Sequence, residues 1–182
     1  MGLIDRRDAV LVLVDVQEKL QPHIHGAEEL VRRIGILLEG GRLLGLPLIV
    51  TEQYPLGLGP TLASLKPHLA HAAAVIEKTS FSCAGAPAFL DTLRATGCHQ
   101  VLVLGIEAHV CVAQTAFALL ESGHEVFLAF DAVSSRREEN KRYALERLAR
   151  AGATISDVEG LLLELLRDSR AEEFRDISRL IR

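Results

Sequence analysis

Three residues far apart in the chain, Asp15, Lys78 and Cys111, are of the types that make a base, a cation and a nucleophile. Cys111 lies in VLVLGIEAHVCVAQTAFALL, Val101 to Leu120, where four apolar residues run up to Gly105 and helical spacing begins near Val110. That pattern predicts a strand, a turn, and a cysteine in the first turn of the following helix. N–H groups at a helix start are unpaired and carry partial positive charge, which favours a thiolate. Asp15 closes the apolar run Val10–Val14, where a carboxylate is costly unless paired. It is placed to take a thiol proton and return it to a leaving group. Lys78 follows the apolar segment Ala74–Glu77, and its ammonium would stabilise a thiolate while offsetting the buried carboxylate. The plainer alternatives are a small buried cysteine, a capping aspartate and a solvated lysine.

The elements around these residues alternate. Short apolar strands are predicted at Val10–Val14, Leu48–Thr51, Ala74–Glu77, Val101–Leu104, Val126–Phe130 and Ala153–Ile155. Helical spacing covers Ala27–Leu44, a short piece Thr61–His68, Pro87–Thr96, the segment from Val110 to Leu120, Glu138–Ala151, Val158–Leu166 and Glu172–Ile181. Glu52 to Pro60 reads as a loop from its Pro and Gly content. Strands apolar on both faces, alternating with helices, predict an α/β fold with a parallel sheet covered on both sides. No linker-like stretch interrupts it, so residues 1–182 are expected to form a single domain. In such sheets the loops at the carboxyl ends of strands build the site. Asp15, Lys78 and Cys111 all fall at those ends, as a triad without histidine. The turn Ile106–Val110 would supply N–H donors for an oxyanion.

Composition narrows the function classes. Nearly half of the 182 residues (49%) are hydrophobic and 24% are charged, which excludes a disordered or low-complexity chain. The net charge of −4, with no basic run interleaved with aromatics, argues against nucleic acid as a partner. Three cysteines without a CxxC argue against a disulfide framework or a cysteine-only zinc site and for a reducing compartment. The charged start MGLIDRRDAV is unlike a signal peptide, and Val10–Val14 is too short to span a membrane. A cytoplasmic protein with no membrane partner is expected. His23 and His25 form an HxH beside Pro22, a minor metal candidate, and His109 leaves a Cys–His dyad open. GLG at Gly57–Gly59 lacks the strand-to-helix context of a dinucleotide fingerprint.

With LVDVQ around Asp15 and Gln17, EKTSFS around Lys78 and GIEAHVCV around Cys111, the sequence resembles the isochorismatase-like cysteine hydrolases over nearly its whole length. TEQYPLGLGPT (Thr51–Thr61) and the tail EGLLLELLRD carry a closer resemblance to the isochorismatase domain-containing subgroup. The resemblance implies a three-layer α/β/α fold with a six-stranded parallel sheet in the order 3-2-1-4-5-6. It also implies Cys111 as nucleophile, Asp15 as base, Lys78 as the third member, and homo-oligomers from dimers upward. A cis Ile106–Glu107 peptide bond is implied as well, aiming the N–H groups of Glu107 or Ala108, with that of Cys111, at the oxyanion.

Two departures carry information. Zinc-binding members have Asp-x-His after the second strand, where this chain has Glu52–Gln53–Tyr54, so no metal and no nicotinamidase activity are expected. Many members have Thr in place of Ala108. The expectation is a cofactor-free hydrolase of a small amide-like or related acyl substrate, working through a covalent thioester. Gln53, Tyr54 and Phe81 are expected to line its pocket from loops at the same sheet end, together with Gln17 and Ile106. Two alternatives remain: isochorismatase-type vinyl-ether hydrolysis, which needs Asp15 and not Cys111, and a non-catalytic oligomeric binding protein.

Overall fold

The computed structural model describes residues 2–182. Its strands are β1 (Ala9–Val14), β2 (Leu48–Gln53), β3 (Ala74–Lys78), β4 (Gln100–Ile106), β5 (Glu125–Ser134) and β6 (Thr154–Ser156). They pair in parallel in the order β3-β2-β1-β4-β5-β6, the topology that the resemblance implies. Successive side chains of a strand point to opposite faces, and the core divides accordingly. Leu11 and Leu13 of β1, with Leu102 and Leu104 of β4, face one layer of helices. That layer is α1 (Ala27–Leu43), α7 (Val158–Leu166) and α8 (Phe174–Leu180). Val10, Val12 and Val14, with Val101 and Val103, face the other. There lie α4 (Pro87–Thr96), α5 (Ala113–Glu121) and α6 (Glu138–Ala151). Among the described residues no helix is long and apolar enough to cross a membrane.

Three elements differ from expectation. The stretch expected as a loop after the second strand holds one helical turn, α2 (Pro55–Leu58), while the helix expected over Thr61–His68 shrinks to α3 (Lys66–Leu69). Pro67 in α3 and a short, half-exposed apolar set leave little to extend it. The fifth strand continues past Asp131 to Ser134, because its register against β4 slips: Val103 pairs with Leu128, but Gly105 with Val133. A single-strand pattern does not reveal such an irregularity.

The strand order reverses between β1 and β4, which opens a crevice at their carboxyl ends. There the two backbones approach closely. Gly105 has φ +118, and a Cβ on it would lie 2.2 Å from the Val14 carbonyl oxygen. Gly105→Ala is therefore expected to lower the unfolding free energy by about 2 kcal/mol or more. Urea denaturation checks this, and an unchanged midpoint would mean that β1 and β4 tolerate a side chain between them.

Candidate active site

Asp15 is the first residue beyond β1. It sits at φ +53, a left-handed conformation that aspartate adopts more readily than most residues. Its N–H donates to the Thr51 carbonyl (3.1 Å). Lys78 ends β3, two strands away, and reaches back beneath the loop that follows it. Its Nζ donates to Asp15 Oδ2 at 2.6 Å, and both side chains are wholly buried. The same ammonium meets Gln53 Oε1 (2.8 Å), the Phe81 carbonyl (3.1 Å) and the Ser80 carbonyl (3.2 Å). Four oxygens thus compete for three protons, and none is left over for a ligand. The solvated lysine is ruled out. On the other side of the carboxylate, the Thr51 hydroxyl donates to Asp15 Oδ1 at 2.8 Å.

Cys111 comes from the opposite direction. After the cis Ile106–Glu107 bond the chain forms a wide π-helical turn, Ala108–Val112, which runs into α5. Val110 and Val112 donate their N–H groups to the Glu107 carbonyl, while among the described residues those of Glu107 and Ala108 enter no turn or loop hydrogen bond. Cys111 is 7% exposed. Burial pushes its thiol well above the ordinary range, and the Asp15 charge pushes it further, with Lys78 opposing. Desolvation therefore works against the thiolate that the helix-start argument favours. His109 turns away from the sulfur: Nδ1 lies 3.0 Å from Ser135 Oγ and Nε2 3.3 Å from Asn140 Nδ2.

The expected ligand-contacting residues separate into two kinds. Gln17 is fully buried, and its amide donates to the carbonyls of Gly59 (2.6 Å) and Gln53 (3.0 Å) while accepting from the Gln53 N–H (2.8 Å). Gln53 in turn holds Lys78 and, through Nε2, the Thr79 carbonyl (2.7 Å). Ile106 is buried in the core. The polar groups of Gln17 and Gln53 are taken up in bracing the site, and Ile106 packs beneath it. Tyr54 and Phe81 remain about half exposed. Two clefts open in this part of the surface, one of them reaching Lys78. One of 510 Å³ is lined by Tyr54, Leu56, Lys78, Thr79 and Ser80, among others, and one of 440 Å³ by Leu20, His23, Ile24, Glu107 and Arg136. Glu52, in the place of the zinc-binding aspartate, accepts from the Thr61 N–H (2.6 Å) and hydroxyl (2.7 Å) and so fastens the loop. Among the described residues no three His, Cys, Asp or Glu side chains are grouped to hold a metal. Sequence reasoning missed Thr51. Thr51 is the register partner of Val14, so the strand order alone would have put it beside Asp15.

A doubly wound α/β enzyme with a polar cluster at its topological switch point is the class these features define. The Isochorismatase domain family model matches residues 9–160. Isochorismatase domain-containing protein 2 of Danio rerio is 40% identical over 187 residues, spanning the whole of this chain and 90% of that protein. The MAR1 ribonuclease from Caenorhabditis elegans superposes with a TM-score of 0.94 at 38% identity, over 99% of this chain and 92% of its own. YcaC from Pseudomonas aeruginosa, a structure containing covalent acrylamide, gives a TM-score of 0.93 at 26% identity, over 99% and 90% of the two chains. The Escherichia coli YcaC gene product, an octameric hydrolase of unknown specificity, gives 0.93 at 27% identity over 100% and 90%. The chain belongs to the isochorismatase domain family of hydrolases.

Removing one member of a buried ion pair strands the other in a medium that cannot solvate it. Lys78→Met is expected to cost about 3–5 kcal/mol of unfolding free energy, and adding Asp15→Asn should recover part of that loss. A double-mutant cycle in urea checks this. Simple additivity would show that the two groups are not coupled.

Proposed function

We propose that this protein is a cofactor-free hydrolase of small amides or related acyl compounds, with Cys111 as nucleophile, Asp15 as proton carrier and Lys78 as electrostatic support. The observation that carries this is the wholly buried Asp15–Lys78 pair, with the Thr51 hydroxyl on its second carboxylate oxygen, at the sheet end where the nearly buried Cys111 thiol also lies. Because the thiol is neutral at rest, attack and proton transfer are coupled. The sulfur bonds to the carbonyl carbon as its proton passes to Asp15. Asp15 then gives that proton to the departing nitrogen as the C–N bond breaks, leaving a thioester. Water attacks the thioester, Asp15 accepts one of its protons, and that proton returns to sulfur as the acid leaves. The free N–H groups of Glu107 and Ala108, with that of Cys111, are the donors proposed for the oxyanion.

The slight exposure of Cys111 favours small substrates. Tyr54 and Phe81 are proposed to contact them from the rim. The covalent acrylamide in the Pseudomonas relative fits a nucleophile in this fold, and the octameric E. coli relative favours a homo-oligomer here. The ribonuclease relative raises RNA as a second substrate class, although the net charge of −4 speaks against a strong phosphate-binding surface.

Incubation with a panel of small amides and activated esters should leave an acyl adduct on Cys111, read by intact mass spectrometry. Cys111→Ala should lower turnover on the order of 10³-fold or more, and Asp15→Asn about 10²–10⁴-fold. Turnover that survives Cys111→Ala and is lost in Asp15→Asn would favour ether hydrolysis instead. RNA cleavage indifferent to both would place the activity elsewhere on the chain.

The raised thiol pKa gives a second test. Thiolate absorbance assigned to Cys111 should appear only at strongly alkaline pH. Asp15→Asn, which removes a negative charge, should move it down, and Lys78→Met, which removes a positive one, should move it up. Ionisation in the ordinary thiol range would contradict the coupled attack.

A further inference from the structure

Cys83 is a second thiol in the same site, and the triad makes no use of it. It is fully buried in a short helical turn after β3, and its Sγ lies 3.5 Å from the Thr51 hydroxyl oxygen. Its backbone N–H donates to Thr115 Oγ1 (2.9 Å), on α5 one turn beyond Cys111. A circuit therefore closes around the site, from the Cys111 helix through Thr115, Cys83 and Thr51 to Asp15, which faces Cys111.

The proton inventory sets the direction of this circuit. An ionised carboxylate only accepts, so the single Thr51 proton goes to Asp15 Oδ1. Thr51 Oγ1 can then only accept from Cys83, which must be the donor. Burial, and secondarily the Asp15 charge, raise the pKa of Cys83 and keep it protonated for that task.

We infer that Thr51 is a positioning residue for the base and that the Cys83 thiol fixes the direction of its hydroxyl. The inference rests on Asp15 acting as the base. With Lys78 on Oδ2 and Thr51 on Oδ1, the carboxylate can neither rotate nor drift, and it keeps one orientation toward Cys111.

The experiment is the rate of acyl transfer from p-nitrophenyl acetate to Cys111 at one neutral pH, followed on the intact protein by mass spectrometry. Thermal unfolding confirms that each variant is folded. Asp15→Asn should slow the reaction about 10²-fold or more. Thr51→Val, which keeps the shape and loses the hydroxyl, should slow it about tenfold. Thr51→Ser should return it close to the wild-type rate, and Cys83→Ala should slow it by less than Thr51→Val. A Thr51→Val rate equal to the wild type, or a serine variant that behaves like valine, overturns the positioning role alone. Should Thr51→Val not fold, an unchanged rate in Cys83→Ala overturns the relay. Wild type and Asp15→Asn with the same rate would remove Asp15 as base, and the positioning role with it.

Discussion

A carboxylate and an ammonium held 2.6 Å apart, neither touching solvent, impose the strictest demand in this molecule. Taking each ion out of water costs several kcal/mol, and their attraction offsets that only where the remaining lone pairs and protons are also satisfied. The surrounding chain meets this condition from several strand ends at once. β1 supplies the acid, β2 the hydroxyl of Thr51 and the amide of Gln53, and β3 the lysine with two carbonyls from the loop that follows. Gln17 and Glu52 then tie the β2 loop to its neighbours, so that the partners of the pair cannot wander.

Such an enclosure sets the electrostatic surroundings of the Cys111 thiol. The pair is neutral as a whole, and the sulfur is shielded from water and feels the carboxylate more than the ammonium. A stored thiolate would be poorly supported there. The proposed mechanism suits this site: charge separates only when an electrophile arrives, and the N–H groups of the wide turn would then have an anion to meet.

The architecture was written plainly in the chain. Alternating leucines and valines of β1 and β4 fill opposite faces, and helical spacing marks every long helix within a few residues. The triad could be named because Asp15, Lys78 and Cys111 each terminate or follow an apolar run, a position that periodicity exposes. The bracing could not. Gln17, Gln53 and Glu52 look like ligand-binding residues in a linear sequence, since an amide or carboxylate on a loop has no visible partner there. Their partners are backbone groups and side chains distant in the sequence, invisible until the loops are closed. The state of Cys111 was misjudged for a related reason: a helix start is local and readable, whereas desolvation is a property of everything packed around it. Strand five ran longer than its apolar run because a register slip is set by two strands together.

The polar side chains around the triad each hold a backbone or a charge, whereas the large apolar ones nearby hold nothing. Leu56 is 90% exposed, and Tyr54 and Phe81 are about half exposed at the same end of the sheet. Substitution at an exposed position far from special backbone geometry alters folding free energy by only about 0.5 kcal/mol. Tyr54, at φ +38, is the exception and is the less free to change. Leu56 and Phe81 can therefore drift under selection without penalty to the scaffold. The rim at this end of the sheet can diverge among descendants of one ancestor while the buried ion pair beneath stays still, and the fold is in that sense built for evolvability.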